Sequence, residues 1–249
     1  MSWSTLVMLF GASFLAGLVD AIAGGGGLIT VPALLAAGLP PPVALGTNKL
    51  QASFGSGSAM VYFIRSGHVR LRDYWQGVFW TALGAGIGVW AVQLLDSSLL
   101  RRIIPWLLGG IAVYLLSSPR LGEEDVHARL PAGAFYLIFG LLIGFYDGFL
   151  GPGTGSFWAM AFILVLGYSM IRATAATKVM NFTSNAMALI LFLLVGQVQL
   201  QAGLLMGAGQ FLGARVGARL VIRKGADFVR PVFIAMVLLV LLKLILQQH

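Results

Sequence analysis

The chain has 249 residues, of which 59% are hydrophobic and only 10% are charged. A soluble domain of this size would need roughly 25% charged residues to cover its surface. The composition therefore excludes a soluble protein and predicts one that crosses a membrane several times. The net charge of +8 does not indicate nucleic acid binding, because basic loops on the cytoplasmic side of a membrane protein account for it. The absence of Cys excludes disulfides, thiolate metal sites and thiol nucleophiles.

Apolar segments follow one another along the whole chain. In chain order they lie near residues 3–23, 27–38, 43–64, 74–95, 101–117, 131–149, 154–168, 171–195, 200–222 and 229–246. Most have about 17 to 25 residues, which is enough to cross the hydrocarbon of a bilayer. The second and seventh are shorter, and the sequence leaves open whether they are half-spans, re-entrant segments or tilted crossings. We predict an all-α polytopic membrane protein with about 8–10 membrane segments.

The two halves of the chain carry the same unusual pattern. Residues 20–49 and 147–178 each run from an Asp through a Gly-rich break and a short apolar stretch to a helix that opens with a Lys. Two ionisable residues recur in each copy, with Asp20 matching Asp147 and Lys49 matching Lys178. A duplicated pattern of this kind is typical of transporters that are built from structural repeats.

The repeats divide the chain into a first transmembrane repeat at 1–117, a polar linker at 118–130 and a second transmembrane repeat at 131–249. If the short segments cross, each half has five crossings and the halves are inverted. Three basic loop regions then lie on one side, with both termini outside. If the short segments re-enter, each half has four crossings, the repeats are parallel and the basic loops are divided between the two sides. Arg101 and Arg102 go against the first arrangement, which we favour because it gathers the three basic loops.

The glycine breaks predict a site for an anion. The run from Gly24 to Gly27 frees backbone groups that hydrocarbon cannot satisfy, so protein or a water-filled cavity must surround it. A new helix begins after each break, at about Leu28 and Gly155. The start of a helix offers unpaired N–H groups and a positive dipole end to an anion, and Thr154 adds a hydroxyl donor. Close packing between helices is the alternative explanation for such glycines.

Two lysines and two aspartates lie within the apolar pattern, where ionisable residues are functional candidates. Lys49 and Lys178 would supply positive charge to an anion. Alternatively, they would snorkel toward an interface or pair structurally with the aspartates. Asp20 and Asp147 lie at the breaks, where each would take up a proton coupled to transport or cap the N–H groups that follow.

The helix that carries Lys178 has a polar face. Asn181 and Asn185 lie three and seven residues after Lys178, so the three side chains share one side of the helix. The two amides would line a pathway or form interhelical hydrogen bonds.

The sequence gives no sign of an enzyme or of a metal site. It lacks a Walker A motif, an HExxH motif and a pair of histidines on a helix. Ser56 and Ser58 have a glycine context that suggests a nucleophile, but no His lies in a span to act as a base. We predict no catalytic residues, no cofactor and no metal.

Two motifs carry a family resemblance that covers nearly the whole chain. The run from Gly24 to Lys49, with AGGGG, VP and GTNKL, resembles the sulfite exporter TauE/SafE family of membrane permeases, and ATKVMNFTSNAMAL resembles the second repeat of that family. The resemblance implies a secondary carrier for small sulfur-containing anions. It implies a first-half site at Gly24, Gly25, Gly26, Gly27, Thr47, Asn48 and Lys49. It implies a second-half site at Gly151, Gly153, Thr177, Lys178 and Asn181.

These observations predict a multi-pass protein of the cell inner membrane that moves sulfite, or an organosulfonate such as sulfoacetate, by alternating access. Proton coupling at Asp20 or Asp147 is part of the hypothesis. A carrier of carboxylates or other organic anions, or an anion channel, is the alternative, and a non-transporting scaffold or sensor is more remote. The expected partners are the small anion and the lipid bilayer, without nucleic acid. The sequence leaves open a monomer or a homodimer.

Overall fold

The structure is a computed structural model that describes residues 3–96, 98–99 and 127–224. The described residues form eight α-helices and contain no strand, so the predicted all-α class is confirmed for this part of the chain. The helices are α1 (Trp3–Ala23), α2 (Gly27–Ala36), α3 (Pro41–Arg65), α4 (Trp75–Gln93), α5 (Ala132–Phe149), α6 (Thr154–Leu164), α7 (Met170–Leu194) and α8 (Leu200–Lys224), with a 3₁₀ turn at Leu71–Tyr74 before α4. The segments predicted near 101–117 and 229–246, most of the linker, and Arg101 and Arg102 lie outside the described residues.

Three of these helices, α1, α5 and α7, are long and apolar enough to cross a bilayer. The two short segments are helices of 10 residues in α2 and 11 residues in α6. At about 1.5 Å per residue, each is roughly 15 Å long, which is about half of the ~30 Å hydrocarbon thickness. Glycines with positive φ follow both helices, at Gly38 and Gly167, and end them after this short length.

Glycines let the first helix of each half pack against the last described helix of the other half. A Cβ at Gly213 of α8 would overlap the carbonyl oxygen of Phe14 in α1, and one at Gly217 would lie too close to that of Leu18. The second contact lies four residues further along both helices, so α1 and α8 run parallel. The matching helices α4 and α5 also run parallel, with Gly84 against Leu141 and Gly88 against Phe145.

The long helices α3 and α7 begin at Pro41 and Met170, eight residues before Lys49 and Lys178, so the prediction that each helix opens with its lysine is wrong. The two helices run in opposite directions. Gly46, near the start of α3, packs against Phe192 and Gln197 at the end of α7, whereas Gly57 packs against Phe182 in the middle of α7. The helices therefore form two parallel groups: a first group of α1, α3 and α8, and a second group of α4, α5 and α7. α8 runs parallel to α3, because Gly203 lies against Leu50 and Gly207 against Phe54. α4 runs parallel to α7, because Gly77 lies against Met180 and Gly86 against Met187.

The short helix α2 returns beside α1. Leu9 of α1, Leu34 of α2 and Ala44 of α3 form one buried cluster, together with Ala202 and Met206 of α8. The far end of α2 thus lies beside the early turns of α1, α3 and α8. The glycine break between α1 and α2 is therefore the tip of a helical hairpin that points into the protein.

Positive charge lies at one end of the described helices, which we call the basic end. The helix directions bring the ends of α3 and α8 together with the starts of α4, α5 and α7. The basic residues of these regions are Arg65, Arg70, Arg72, Arg129, Arg172, Arg215, Arg219, Arg223 and Lys224. Among the described residues, the connections at the opposite end contain neither Lys nor Arg.

Replacing Gly213 with Ala should destabilise the protein, because the new Cβ would overlap the backbone of α1. Overpacking of this kind costs about 1–3 kcal/mol in a packed interior. We expect a lower midpoint of thermal unfolding for the purified protein in detergent. Gly11→Ala is the matched control, since nothing lies within 4 Å of a Cβ built at Gly11 and the helix gains propensity. Equal midpoints for the two variants would contradict the close packing of α1 on α8.

Candidate functional site

The two glycine breaks lie against each other in the interior of the protein. Gly24 has a φ of +79°, and a Cβ there would overlap the backbone of Gly155 and Ser156. A Cβ at Gly27 would press against Pro152 in the same way. Side chains at these positions would therefore force the breaks apart. The opened backbone is enclosed by protein, which is the environment in which membrane proteins tolerate it.

Side chains satisfy part of the backbone that the first break exposes. The N–H group of Gly26 donates to the carboxylate of Asp20 at 3.2 Å, which is the capping role considered for this residue. The hydroxyl of Ser156 donates to the carbonyl oxygen of Ala23 at 2.6 Å. The start of α6 thus ties down the end of α1, and each hairpin tip is held by the other.

Each buried lysine is paired with the aspartate of the other half. Lys49 Nζ on α3 lies 2.7 Å from Asp147 Oδ1 near the end of α5, and it also donates to the carbonyl oxygen of Asp147. Lys178 Nζ on α7 lies 3.2 Å from Asp20 Oδ2 near the end of α1, and it also donates to the carbonyl oxygen of Asp20. Both lysine side chains are only 1% exposed. The lysines therefore pair with carboxylates in this structure and do not snorkel.

The two ion pairs have different surroundings. The side chain of Asp147 is 3% exposed, and the hydroxyls of Thr154 and Ser184 contact its carboxylate in addition to the ammonium group. The side chain of Asp20 is 14% exposed, and the second donor to its carboxylate is the backbone N–H group of Gly26. Water therefore has better access to Asp20 than to Asp147.

A small polar cavity lies between the breaks and the two ion pairs. Its volume is about 20 Å³, which is room for about one water molecule. It is lined by Asp20, Gly24, Gly27, Asn48, Ala52, Asp147, Gly151, Gly153, Thr154, Gly155, Asn181, Asn185 and Gln210. Both carboxylates of the ion pairs thus face one shared space.

The structure brings most of the sequence-predicted site residues to this cavity but not all of them. The predicted residues outside its lining are Gly25, Gly26, Thr47, Lys49, Thr177 and Lys178. The lysines reach the cavity only through the carboxylates that they bind. The hydroxyl of Thr47 points elsewhere, since it accepts a hydrogen bond from the Gln199 N–H group at 2.9 Å. Thr177 is buried, and no described residue hydrogen-bonds to its hydroxyl.

Four lining residues lie outside the predicted set: Ala52, Gly155, Asn185 and Gln210. Ala52 occupies the position in the first half that Asn181 occupies in the second, so the repeat itself could have identified it. Gln210 is an amide within the apolar segment predicted at 200–222, and a polar residue in such a segment is a signal in its own right. Asn185 fits both roles considered for it, because it lines the cavity and donates to the carbonyl oxygen of Asn181 at 2.7 Å.

Amide side chains supply most of the neutral polar groups of the cavity. Asn181 Oδ1 and Gln210 Oε1 are buried, and no described residue hydrogen-bonds to them. The side-chain oxygen of Asn48 accepts hydrogen bonds from Thr30 at 2.6 Å and from Gln51 at 2.7 Å, which leaves its NH₂ group as a donor. A side-chain amide carries both an NH₂ donor and a carbonyl acceptor. The lining can therefore offer donors to an anion or acceptors to water.

Long apolar helices around a buried, charged and polar cavity are typical of a membrane transport protein. The family is equally clear, because the model of the sulfite exporter TauE/SafE family matches residues 9–244. The chain belongs to this family, and the resemblance found in its two motifs is confirmed.

Curated relatives cover nearly the whole chain. A probable membrane transporter protein of Haemophilus influenzae is 47% identical over 98% of this chain and 95% of its own length. The probable membrane transporter protein YfcA of Escherichia coli K12 is 47% identical over 98% of this chain and 91% of its own length. The probable membrane transporter protein ORF9 of a Sinorhizobium species is 46% identical over 94% of this chain. No solved structure matches the chain. The protein is a membrane transporter, and its relatives are named as transporters rather than enzymes.

Lys49→Ala should destabilise the protein more than Lys178→Ala. Removing one partner of a buried ion pair leaves an uncompensated charge, at a cost of about 3–5 kcal/mol. Asp147 is the more deeply buried partner, so the larger loss is expected at Lys49. The midpoint of thermal unfolding in detergent measures the stability loss of each variant.

A double variant tests the cause of this loss. Adding Asp147→Asn to Lys49→Ala should restore part of the lost stability, because Asn leaves no charge to bury. Equal losses for the two lysine variants, or no recovery in the double variant, would contradict the unequal burial of the two pairs.

Proposed function

We propose that this protein is a secondary carrier of the cell inner membrane that moves a small sulfur-containing anion by alternating access. Sulfite or an organosulfonate such as sulfoacetate is the proposed substrate. One observation carries the proposal: two buried ammonium groups meet their counter-ions at a polar cavity between two opposed glycine breaks. Family membership supports the sulfur-containing anion as the substrate class.

Two inverted structural repeats account for the arrangement of the helices. This interpretation is supported by the sequence repeat and by the antiparallel directions of α3 and α7, which are the same element in the two halves. It is also supported by the crossed ion pairs, because a two-fold axis that exchanges the halves also exchanges Lys49–Asp147 with Lys178–Asp20. Such repeats are the usual basis of alternating access around a central site.

The basic end of the helices is proposed to face the cytoplasm. Cytoplasmic loops of membrane proteins carry an excess of Lys and Arg, and the described loops at the other end have none. Because α1 runs parallel to α3, the start of α1 then lies on the outer side of the membrane. This orientation agrees with an inverted arrangement whose N-terminus is outside. The inversion does not come from five crossings per half, however, because α2 returns beside α1 instead of crossing.

The charges at the cavity indicate how an anion and a proton would bind together. Two ammonium groups and two carboxylates sum to zero, so an additional anion finds no free positive charge. If Asp20 takes up a proton at its carboxylate, Lys178 is released to bind an oxygen of the anion, and the site then carries one net positive charge with which the anion pairs. The NH₂ groups of Asn48 and Asn181 would bind further oxygens.

Asp20 is the better of the two candidates for proton uptake. Its side chain is more exposed than that of Asp147, and its contact with ammonium is longer, at 3.2 Å against 2.7 Å. The charged groups that face Asp20 are Lys178 on α7 and, across the cavity, Asp147 on α5 with its own partner Lys49. Among the described residues, α2, α6 and α8 contribute no ionisable side chain to the lining. Asp147, held by three side-chain donors, would then keep its charge through the cycle.

A carrier of carboxylates is the alternative that the site chemistry favours most. Ammonium and amide donors bind the oxygens of a carboxylate as readily as those of a sulfonate. An anion channel is the other alternative, and for either function the cavity, with room for about one water molecule, must widen before an anion enters.

Proteoliposomes that contain the protein should show saturable uptake of sulfite or sulfoacetate. Taurine, sulfate, acetate and lactate are tested as alternative substrates, and uptake is followed with isotopically labelled compounds. Lys178→Ala should abolish this uptake, because the ammonium group released for the anion is gone. Arg72→Ala is the matched control, since it removes an exposed positive charge far from the cavity and should transport normally. Uptake of carboxylates alone would overturn the proposed substrate class.

Asp20→Asn should remove the dependence of transport on pH. In the wild-type protein, uptake should rise as pH falls, because protonation of Asp20 frees Lys178. An Asn side chain is neutral at every pH, so the variant should transport at a rate that does not change with pH. Sulfoacetate is the appropriate substrate, because its charge is constant between about pH 6 and pH 8.

Asp147→Asn is the matched comparison for this measurement. It should keep a pH dependence wherever it folds, because Asp20 is still present. Persistence of the pH dependence in Asp20→Asn would contradict the assignment of the proton to Asp20, while leaving anion transport itself intact.

A further inference from the structure

A row of arginines lies on α8, outside the central cavity. Arg215, Arg219 and Arg223 are spaced four residues apart, so they share one face of the helix, and all three are exposed. The corresponding positions of the first half, on α4 and just after it, are Gly86, Trp90 and Leu94. The row therefore belongs to one half alone and is not part of the duplicated anion site.

Two apolar grooves flank this row. The first lies between α1, α3 and α8, has a volume of about 590 Å³, and combines Phe14, Tyr62, Leu212 and Val216 with all three arginines. The second lies between α3, α7 and α8 and has a volume of about 440 Å³. Its apolar wall includes Phe54, Val61, Phe182 and Phe211, and its charged residues are Arg65 and Arg215. Arg215 is shared by the two grooves.

The guanidinium groups of these grooves lack acidic partners among the described residues. Neither lining contains Asp or Glu. The guanidinium carbon of Arg215 lies 6.0 Å from the centre of the Tyr62 ring, one turn before the end of α3. The grooves thus offer four positive charges beside long apolar walls.

The position of Arg215 along α8 favours an anionic partner. Arg215 lies nine residues before the end of the helix, which is roughly 13 Å along the axis. An arginine at such a depth must reach an interface or pair with an anion. Arg219 and Arg223 continue the charge toward the basic end of the protein.

We propose that these two grooves bind an anionic phospholipid. The lipid phosphate pairs with Arg219 and Arg223 at the basic end, and the acyl chains lie along the apolar walls on either side of Arg215. Phosphate suits arginine because the guanidinium group donates two parallel hydrogen bonds to it. The inference rests on the proposed orientation, in which the basic end faces the cytoplasmic leaflet, where basic residues attract anionic lipids.

The full-length protein in detergent tests this proposal. Phosphatidylglycerol should raise the midpoint of thermal unfolding in a saturable way, because a ligand that binds only the folded state stabilises it. Phosphatidylcholine and inorganic phosphate, added at the same concentrations, should have little effect. The first lacks net negative charge, and the second lacks acyl chains.

Two double variants make the test specific. In Arg219→Gln/Arg223→Gln, the phosphatidylglycerol concentration for half of the maximal shift should rise about tenfold or more, since each basic residue contributes about 1 kcal/mol to anionic lipid binding. Arg70→Gln/Arg72→Gln removes two charges from the same end but from neither groove, and it should keep the wild-type response.

Three results would overturn the proposal. An equal shift with phosphatidylcholine would indicate a general lipid effect, and a full shift with inorganic phosphate would indicate a simple anion site. An unchanged response in Arg219→Gln/Arg223→Gln would show that another surface binds the lipid, or that the grooves are filled by the chain itself or by a second copy. None of these results depends on the transport assays, so the proposed carrier function stands or falls separately.

Discussion

Two buried ammonium–carboxylate pairs cross between the halves of this protein, and the rest of the structure depends on them. Removing a charge from water costs several kcal/mol, and only a partner of opposite charge at close range offsets that cost. Lys49 and Lys178 find such partners only at the ends of α5 and α1. The two hairpin tips must therefore reach the centre of the protein, and glycines are needed there because the tips touch backbone to backbone.

The sequence predicted the residues of this site better than the partners that each of them binds. The glycine breaks, both lysines and both aspartates follow from the repeat, and nine of the predicted residues line the cavity. The sequence did not specify that Lys49 pairs with Asp147 rather than with Asp20, which is nearer to Lys49 along the chain. That choice depends on the directions of the packed helices. Thr47 turns away toward Gln199, and Gln210 enters from α8, for the same reason.

The two halves contribute unequally to the assembled site. Corresponding positions of the two halves differ in polarity, with Asn181 opposite Ala52 and Gln210 of α8 matched by Thr81 of α4. Of these four, Thr81 does not line the cavity, and its hydroxyl contacts Met180 Sδ at 3.5 Å. A symmetric backbone thus carries an asymmetric set of amides. Binding states that face opposite sides of the membrane would then differ in affinity for the anion, while the gradients set the direction of net transport.

The helices form two parallel groups, α1 with α3 and α8, and α4 with α5 and α7, and α3 packs against α7 across the boundary between them. Each group mixes elements of both sequence halves, and alternating access would move one group against the other. Both ion pairs span the boundary, since Lys49 of the first group binds Asp147 of the second and Lys178 of the second binds Asp20 of the first. A rocking motion between the groups must stretch or break these links. An anion and a proton that together release Lys178 would remove one of them, which would couple occupancy of the cavity directly to freedom of motion.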